Sequence, residues 1–160
     1  MMIKQNFLFP NSFKKIGWGV LVTGIVLGII YLFVDDDPNL LNLIVFTFAD
    51  EQIFGESSYF ALVENNIFDE LISLLIIVGG LLVAFSKEKT EDEFISKIRL
   101  DSLVWATYIN YAILIIALIF VHDMSFLWVL VFNMFTLILF FVIRFNWILI
   151  QSKKLIRDEE

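Results

Sequence analysis

Residues 103–150 read LVWATYINYAILIIALIFV, then HDMS, then FLWVLVFNMFTLILFFVIRFNWILI. Two apolar runs, Leu103–Val121 and Phe126–Ile150, flank a four-residue polar break. At 1.5 Å per helical residue they extend roughly 28 and 38 Å, and a bilayer's hydrocarbon core is about 30 Å thick. The break His122-Asp123-Met124-Ser125 leaves room only for a tight return, so the two runs are expected to form an antiparallel helical hairpin.

Two further runs precede this hairpin. Ile16–Val34 follows an expected cap at Asn11 or Ser12 and stops at Asp35-Asp36-Asp37-Pro38. Lys14 and Lys15 before it raise a cleaved signal peptide as the competing reading. The run is longer than a 7–15-residue signal core and no small-x-small site follows, which favours an uncleaved span. In the second run, Asn66 is the expected cap, Asp69 and Glu70 occupy the anion-favouring first turn, and Leu71–Phe85 precedes Lys87 and Lys89. Leu40–Ala49 is too short to cross and ends at Asp50-Glu51. It is expected to lie flat as an interfacial helix, with Phe46, Phe48 and Phe54 among acyl chains and a second short helix starting near Ser57 or Ser58.

The charges orient these runs. All 11 Lys and Arg residues fall in three patches: Lys4, Lys14 and Lys15; Lys87, Lys89, Lys97 and Arg99; Arg144, Lys153, Lys154 and Arg157. Asp35–Glu70 and Asp123 supply carboxylates and no base to the other two connections. This alternation is what the positive-inside rule expects of four crossings with both termini in the cytoplasm. Trp18, Trp105, Trp128 and Trp147 fall near expected interfaces. The expected fold is therefore an all-α, integral membrane four-helix bundle occupying 1–160 as a single membrane domain. Its spans are about 16–34, 67–86, 102–121 and 126–150, with an outer loop at 35–66 and a cytoplasmic extension at 87–101. A composition 59% hydrophobic and 18% charged agrees, since soluble chains run to roughly 45–50% and about 25%.

Composition also narrows the chemistry. With no Cys there is no thiol redox or thiolate metal site, and one His cannot supply a bis-His haem. No Asp, Glu, Lys or His interrupts an apolar run, as proton-coupled transport would need. Nothing resembles a selectivity filter. His122-Asp123 reads as a turn dipeptide rather than half a catalytic or metal site, and Asp35-Asp36-Asp37 lacks the spaced ligands of a calcium loop. No catalytic, cofactor-binding or metal residue is expected, no cofactor, and no nucleic-acid partner.

Candidate packing residues follow from spacing. Gly24 and Gly28 form a GxxxG with Gly17 seven residues earlier, and Ser73, Gly80 and Ala84 repeat that spacing in the second run. Small residues let helices approach closely, so these are expected to pack the first two spans together, with a homo-oligomer seam as the alternative. Asn110 and Thr136 lie at similar distance from the outer turn, with Asn133 nearby, and are expected to hydrogen-bond across the hairpin.

Thr90-Glu91-Asp92-Glu93 reads as a capping box that opens a helix in water and runs unbroken into the third span, with Glu93–Lys97 and Lys97–Asp101 at ion-pair spacing. The segment Glu91-Asp92-Glu93-Phe94-Ile95-Ser96-Lys97-Ile98-Arg99-Leu100-Asp101-Ser102-Leu103-Val104-Trp105-Ala106 resembles one in small uncharacterised bacterial four-span membrane proteins, some of which look like companions of helix-turn-helix regulators. The resemblance implies a bacterial cytoplasmic-membrane protein and brings no activity or site residues. It nominates Glu91, Asp92, Glu93, Lys97 and Arg99 as candidate partner contacts. The expected function is non-enzymatic contact with a partner or regulatory protein through the cytoplasmic face. The alternative is an oligomeric pore or transport component.

Overall fold

The computed structural model describes residues 7–33, 41–50 and 58–158. The element order is α1 (Ser12–Phe33), β1 (Asn42–Asp50), β2 (Ser58–Asn66), α2 (Phe68–Ala84), α3 (Glu93–Phe120) and α4 (Met124–Asp158). Three helices, α1, α3 and α4, are long and apolar enough to cross a membrane. At 17 residues, α2 extends roughly 25 Å. Large apolar side chains such as Leu32, Tyr108, Phe120 and Trp128 point outward along the helices. A soluble monomer rarely exposes continuous apolar surface of this kind, and the chain is a membrane-embedded protein.

The helices pair as two antiparallel hairpins. α1 lies along α2 because glycines remove the side chains between them. A Cβ on Gly17 would lie 2.7 Å from the Leu82 Cβ, and one on Gly24 would lie 3.0 Å from the Ile76 backbone nitrogen. Gly28 faces Ile72. Tyr31 and Phe68 close the far end with ring centroids 5.8 Å apart. The α2 side of this contact rests on Gly79, whose added Cβ would sit 2.5 Å from the Leu21 nitrogen. Gly80 turns instead to Ile138 of α4 and so joins the two hairpins. Ala84 is fully buried and Ser73 half-buried. One core of Leu21, Ile76, Val83, Ile98, Phe141 and Phe145 runs through all four helices.

α3 is unbroken from the polar extension into the apolar run, and α4 continues beyond Ile150. Asp123, with φ 57°, turns the chain between α3 and α4, and its carbonyl accepts from the Phe126 N–H at 3.0 Å. Two local expectations change. The cap of α3 is Asp92, whose carboxylate accepts from the Ile95 N–H at 2.8 Å, and not Thr90. At α2 the N-cap position is Ile67, although the Asn66 side chain still accepts from the Phe68 N–H at 3.2 Å.

The connection between α1 and α2 is the larger correction. In place of an interfacial helix, β1 and β2 form an antiparallel hairpin pairing Val45 with Val63 and Phe46 with Leu62. Ser58 begins β2, while Phe54 and Ser57 lie outside the described residues. The composition explains this: Ile44, Val45, Phe46, Thr47 and Phe48 are β-branched or aromatic, and alternate faces along a strand. Phe46, Phe48 and Phe60 gather on one exposed face, with the Phe46–Phe48 and Phe48–Phe60 centroids 5.3 and 5.6 Å apart.

The glycine contact makes a paired test. Gly79→Ala forces α1 from α2 and is expected to cost about 1–3 kcal/mol as overpacking. Gly19→Ala, which meets nothing within 4 Å, should leave the midpoint unchanged or raise it. Thermal unfolding in mild detergent reads both, and equal midpoints would refute the close α1–α2 contact.

Candidate functional site

The N-terminus of α1, the C-terminus of α2, the N-terminus of α3 and the C-terminal half of α4 meet at one end of the bundle, around Arg99. This residue lies on the inner face of α3's polar first turns, with Ile95, Ile98 and Ser102, and is only 6% exposed. Its Nη1 donates to Glu91 Oε1 at 2.6 Å and its Nη2 to Glu91 Oε2 at 3.2 Å, a two-pronged ion pair. Nη2 also donates to the Ser86 carbonyl at 3.2 Å. The guanidinium carbon stands 5.0 Å from the centroid of the Phe145 ring on α4.

A second layer encloses this pair. Glu91 Oε2 accepts from the Glu88 N–H at 2.8 Å, bending the connection back on itself. The Glu88 carboxylate pairs with Lys14 of α1, whose ammonium also lies over Phe145 at 5.6 Å. Ahead of α1, Phe9 bridges in parallel to Ser86: its N–H donates to the Phe85 carbonyl, and the Lys87 N–H donates to its carbonyl, both at 2.9 Å. Asn11 Nδ2 donates to the Lys87 carbonyl at 2.6 Å. The site is a structural knot, since its charges neutralise each other and the fully buried Ser86 hydroxyl donates to the Leu82 carbonyl in the last turn of α2. The described residues contain no group of three His, Cys, Asp or Glu side chains that could hold a metal ion.

The candidate partner contacts therefore divide. Arg99 points inward and Glu91 closes on it, whereas Asp92, Glu93 and Lys97 are exposed beside Phe94 and Leu100. The ion pairs among the described residues are Lys14–Glu88 and Arg99–Glu91, so neither Glu93–Lys97 nor Lys97–Asp101 closes. Spacing could not reveal this choice, because Glu91 reaches Arg99 through an irregular segment and Lys14 meets Glu88 across 74 residues.

A polar cluster lies deeper, between α3 and α4. Asn110 Oδ1 accepts from Asn133 Nδ2 at 3.2 Å and from the Thr136 hydroxyl, and Asn110 Nδ2 approaches Asn133 Oδ1 at 3.5 Å. Three further polar side chains in the helices bond their own backbone, Thr23 on the Gly19 carbonyl, Thr107 on that of Leu103 and Asn146 on that of Val142, each at 2.8 Å, whereas the buried Ser102 hydroxyl has no partner. Nearer the Arg99 end, the Arg144 guanidinium stacks 4.6 Å from the Trp105 ring centroid. His122 is exposed in the opposite turn. Searches among known proteins find no matching family model, curated protein or solved structure.

Removing Glu91 leaves a buried guanidinium unpaired. Glu91→Ala is expected to cost about 3 kcal/mol, near the low end for a broken buried pair because the Glu91 side chain keeps 20% exposure. An unchanged unfolding midpoint in detergent would show the pair to be dispensable. Asn110→Leu should cost about 0.6–1.7 kcal/mol by stripping Asn133 and Thr136 of their cross-helix partner. Thr136→Val in the Asn110→Leu background should then add little, and full additivity would contradict a shared cluster.

Proposed function

We propose that this chain is a non-catalytic protein of the bacterial cytoplasmic membrane, crossing it four times with both termini inside, and that it presents the first turns of α3 to a protein partner. The fourth crossing is α2. Its contacts with α1 run from Gly17 against Leu82 at one end to Tyr31 against Phe68 at the other, so the two helices share one slab of bilayer despite the shorter length of α2. A modest local thinning of the bilayer accommodates the difference. The end where Lys14, Arg99 and Arg144 lie takes the cytoplasmic side by the positive-inside rule. The β-hairpin, the His122–Asp123 turn and the Asp69 and Glu70 carboxylates then face outward.

The observation that carries the partner reading is the exposed side of α3 ahead of its apolar run. Phe94 is 55% and Leu100 60% exposed, interleaved with Glu93, Lys97 and Asp101. An apolar anchor rimmed by charges is a common form of protein contact. The Arg99–Glu91 pair reaches no partner itself. It holds the presenting turns rigid, which lowers the ordering cost of binding.

Reporter fusions after Asn65 and after Lys89 should read outer and cytoplasmic, respectively. A photo-crosslinking residue at Phe94 or Lys97 should capture a discrete protein, lost on Leu100→Glu, whereas one at lipid-facing Tyr108 should not. An outer signal at Lys89 would reverse the topology. Identical adduct patterns at Phe94 and Tyr108 would remove the partner surface.

A further inference from the structure

We propose that Arg144, Trp105 and Trp147 form a binding site for an anionic phospholipid, with the lipid phosphate on the guanidinium and one acyl chain in the groove beside it. The groove is open on one side, encloses about 210 Å³, and is lined by Trp105, Phe140, Ile143, Arg144 and Trp147. Clefts for compact drug-sized ligands run to roughly 300–1,000 Å³, so this one suits a single slim chain. Its walls are almost wholly hydrocarbon and aromatic, with Arg144 the one charged group among them.

Charge complementarity selects the headgroup. Lys14 and Arg99 at this end are each matched by a carboxylate, Glu88 and Glu91. Arg144 has the Trp105 ring beneath it and no carboxylate or carbonyl acceptor among the described residues. Its Nε is enclosed and unbonded, as is that of Arg99, but the Arg99 terminal nitrogens are taken by Glu91 and the Ser86 carbonyl. Asp101, one helical turn before Trp105, forms no ion pair with it. Arg144 lies six residues before Ile150, about 9 Å inside the end of the apolar run, a depth from which its side chain reaches headgroup level. Trp105 and Trp147 suit that same boundary, where an aromatic ring contacts both chain and headgroup. A phosphate joined to an acyl chain satisfies cation and groove together.

Full-length protein carrying Trp18→Phe and Trp128→Phe keeps Trp105 and Trp147 as reporters at the site. It is reconstituted into mixed phosphatidylcholine and phosphatidylglycerol vesicles, with bromine placed on the acyl chains of one lipid or the other. The brominated anionic lipid should quench as though favoured about fivefold over its share, the factor expected for one basic residue at the membrane surface. Arg144→Gln should bring the two lipids to parity, and Lys153→Gln with Lys154→Gln should keep the preference. Equal quenching in the parent, a preference that survives Arg144→Gln, or one lost with the two lysines instead, overturns the site. Loss of the preference on adding inorganic phosphate would show a free-anion site and refute the lipid. Should Arg144→Gln fail to reconstitute, Ile143→Phe fills the groove and should abolish the preference, and a preference unchanged there also overturns it.

Discussion

A guanidinium enclosed among four helices has to be neutralised where it stands, and the arrangement of one end of this protein follows from that need. Arg99 is carried inward on the same helical face as Ile95, Ile98 and Ser102. Leaving it unpaired would cost several kcal/mol, so the connection between α2 and α3 folds back to deliver Glu91 and the Ser86 carbonyl. That fold-back draws in Glu88, Glu88 draws in Lys14, and the chain around Phe9 is stitched to residues 85–87. The gain in stability over a well-packed apolar core is small by general experience with buried ion pairs. What the pair supplies here is geometry, since a two-pronged contact admits few alternative arrangements of α2, α3 and α4.

The two helical hairpins solve the same problem by different chemistry. Inside a bilayer, apolar side chains gain little by preferring each other to lipid, so association relies on close packing and interhelical hydrogen bonds. α1 and α2 use the first, with Gly17, Gly24 and Gly79 bringing backbones together. α3 and α4 use the second, through Asn110, Asn133 and Thr136. Gly80 against Ile138 and the aromatic pair Phe85–Phe141, with centroids 5.6 Å apart, then join one hairpin to the other.

The three long apolar helices, the helical return at His122–Asp123, the unbroken α3 and the polar partners of Asn110 could all be read from the chain, because each depends on local periodicity or on depth counted from one turn. Glycine spacing identified the α1 face but named Gly80 where Gly79 does the packing. Adjacent helical positions differ by about 100°, and spacing cannot say which of two buried faces meets which neighbour. The burial of Arg99 was hidden for a related reason: charge pattern marks a cation as a topology signal and says nothing of a carboxylate that arrives through irregular chain. The β-hairpin does not follow from the length of Leu40–Ala49 or from its acidic Asp50-Glu51 end, the two features that place it outside the hydrocarbon. Its β-branched and aromatic composition was the available signal, but pairing with Ser58–Asn66 is a tertiary fact.

These differences leave the two ends of the molecule unlike. At the Arg99 end, four segments are joined by ion pairs, backbone hydrogen bonds and the Phe145 ring, which lies under the Lys14 and Arg99 cations and stacks on Phe141. At the other, Tyr31 meets Phe68, and the β-hairpin is tied at its foot, where the Ile67 N–H donates to the Leu41 carbonyl at 3.2 Å and Asn65 Nδ2 donates to Glu70 at 3.1 Å. A lone two-stranded hairpin is marginal in water, and the exposed Phe46–Phe48–Phe60 face is too apolar to be left there. The bilayer interface can stabilise that face directly. The end furthest from the ionic knot thus depends on lipid for its order, while the knotted end carries its order in its own side chains. Local opening should therefore begin at the hairpin and reach the Arg99 contacts last, as expected where interaction density falls from one end of a structure to the other.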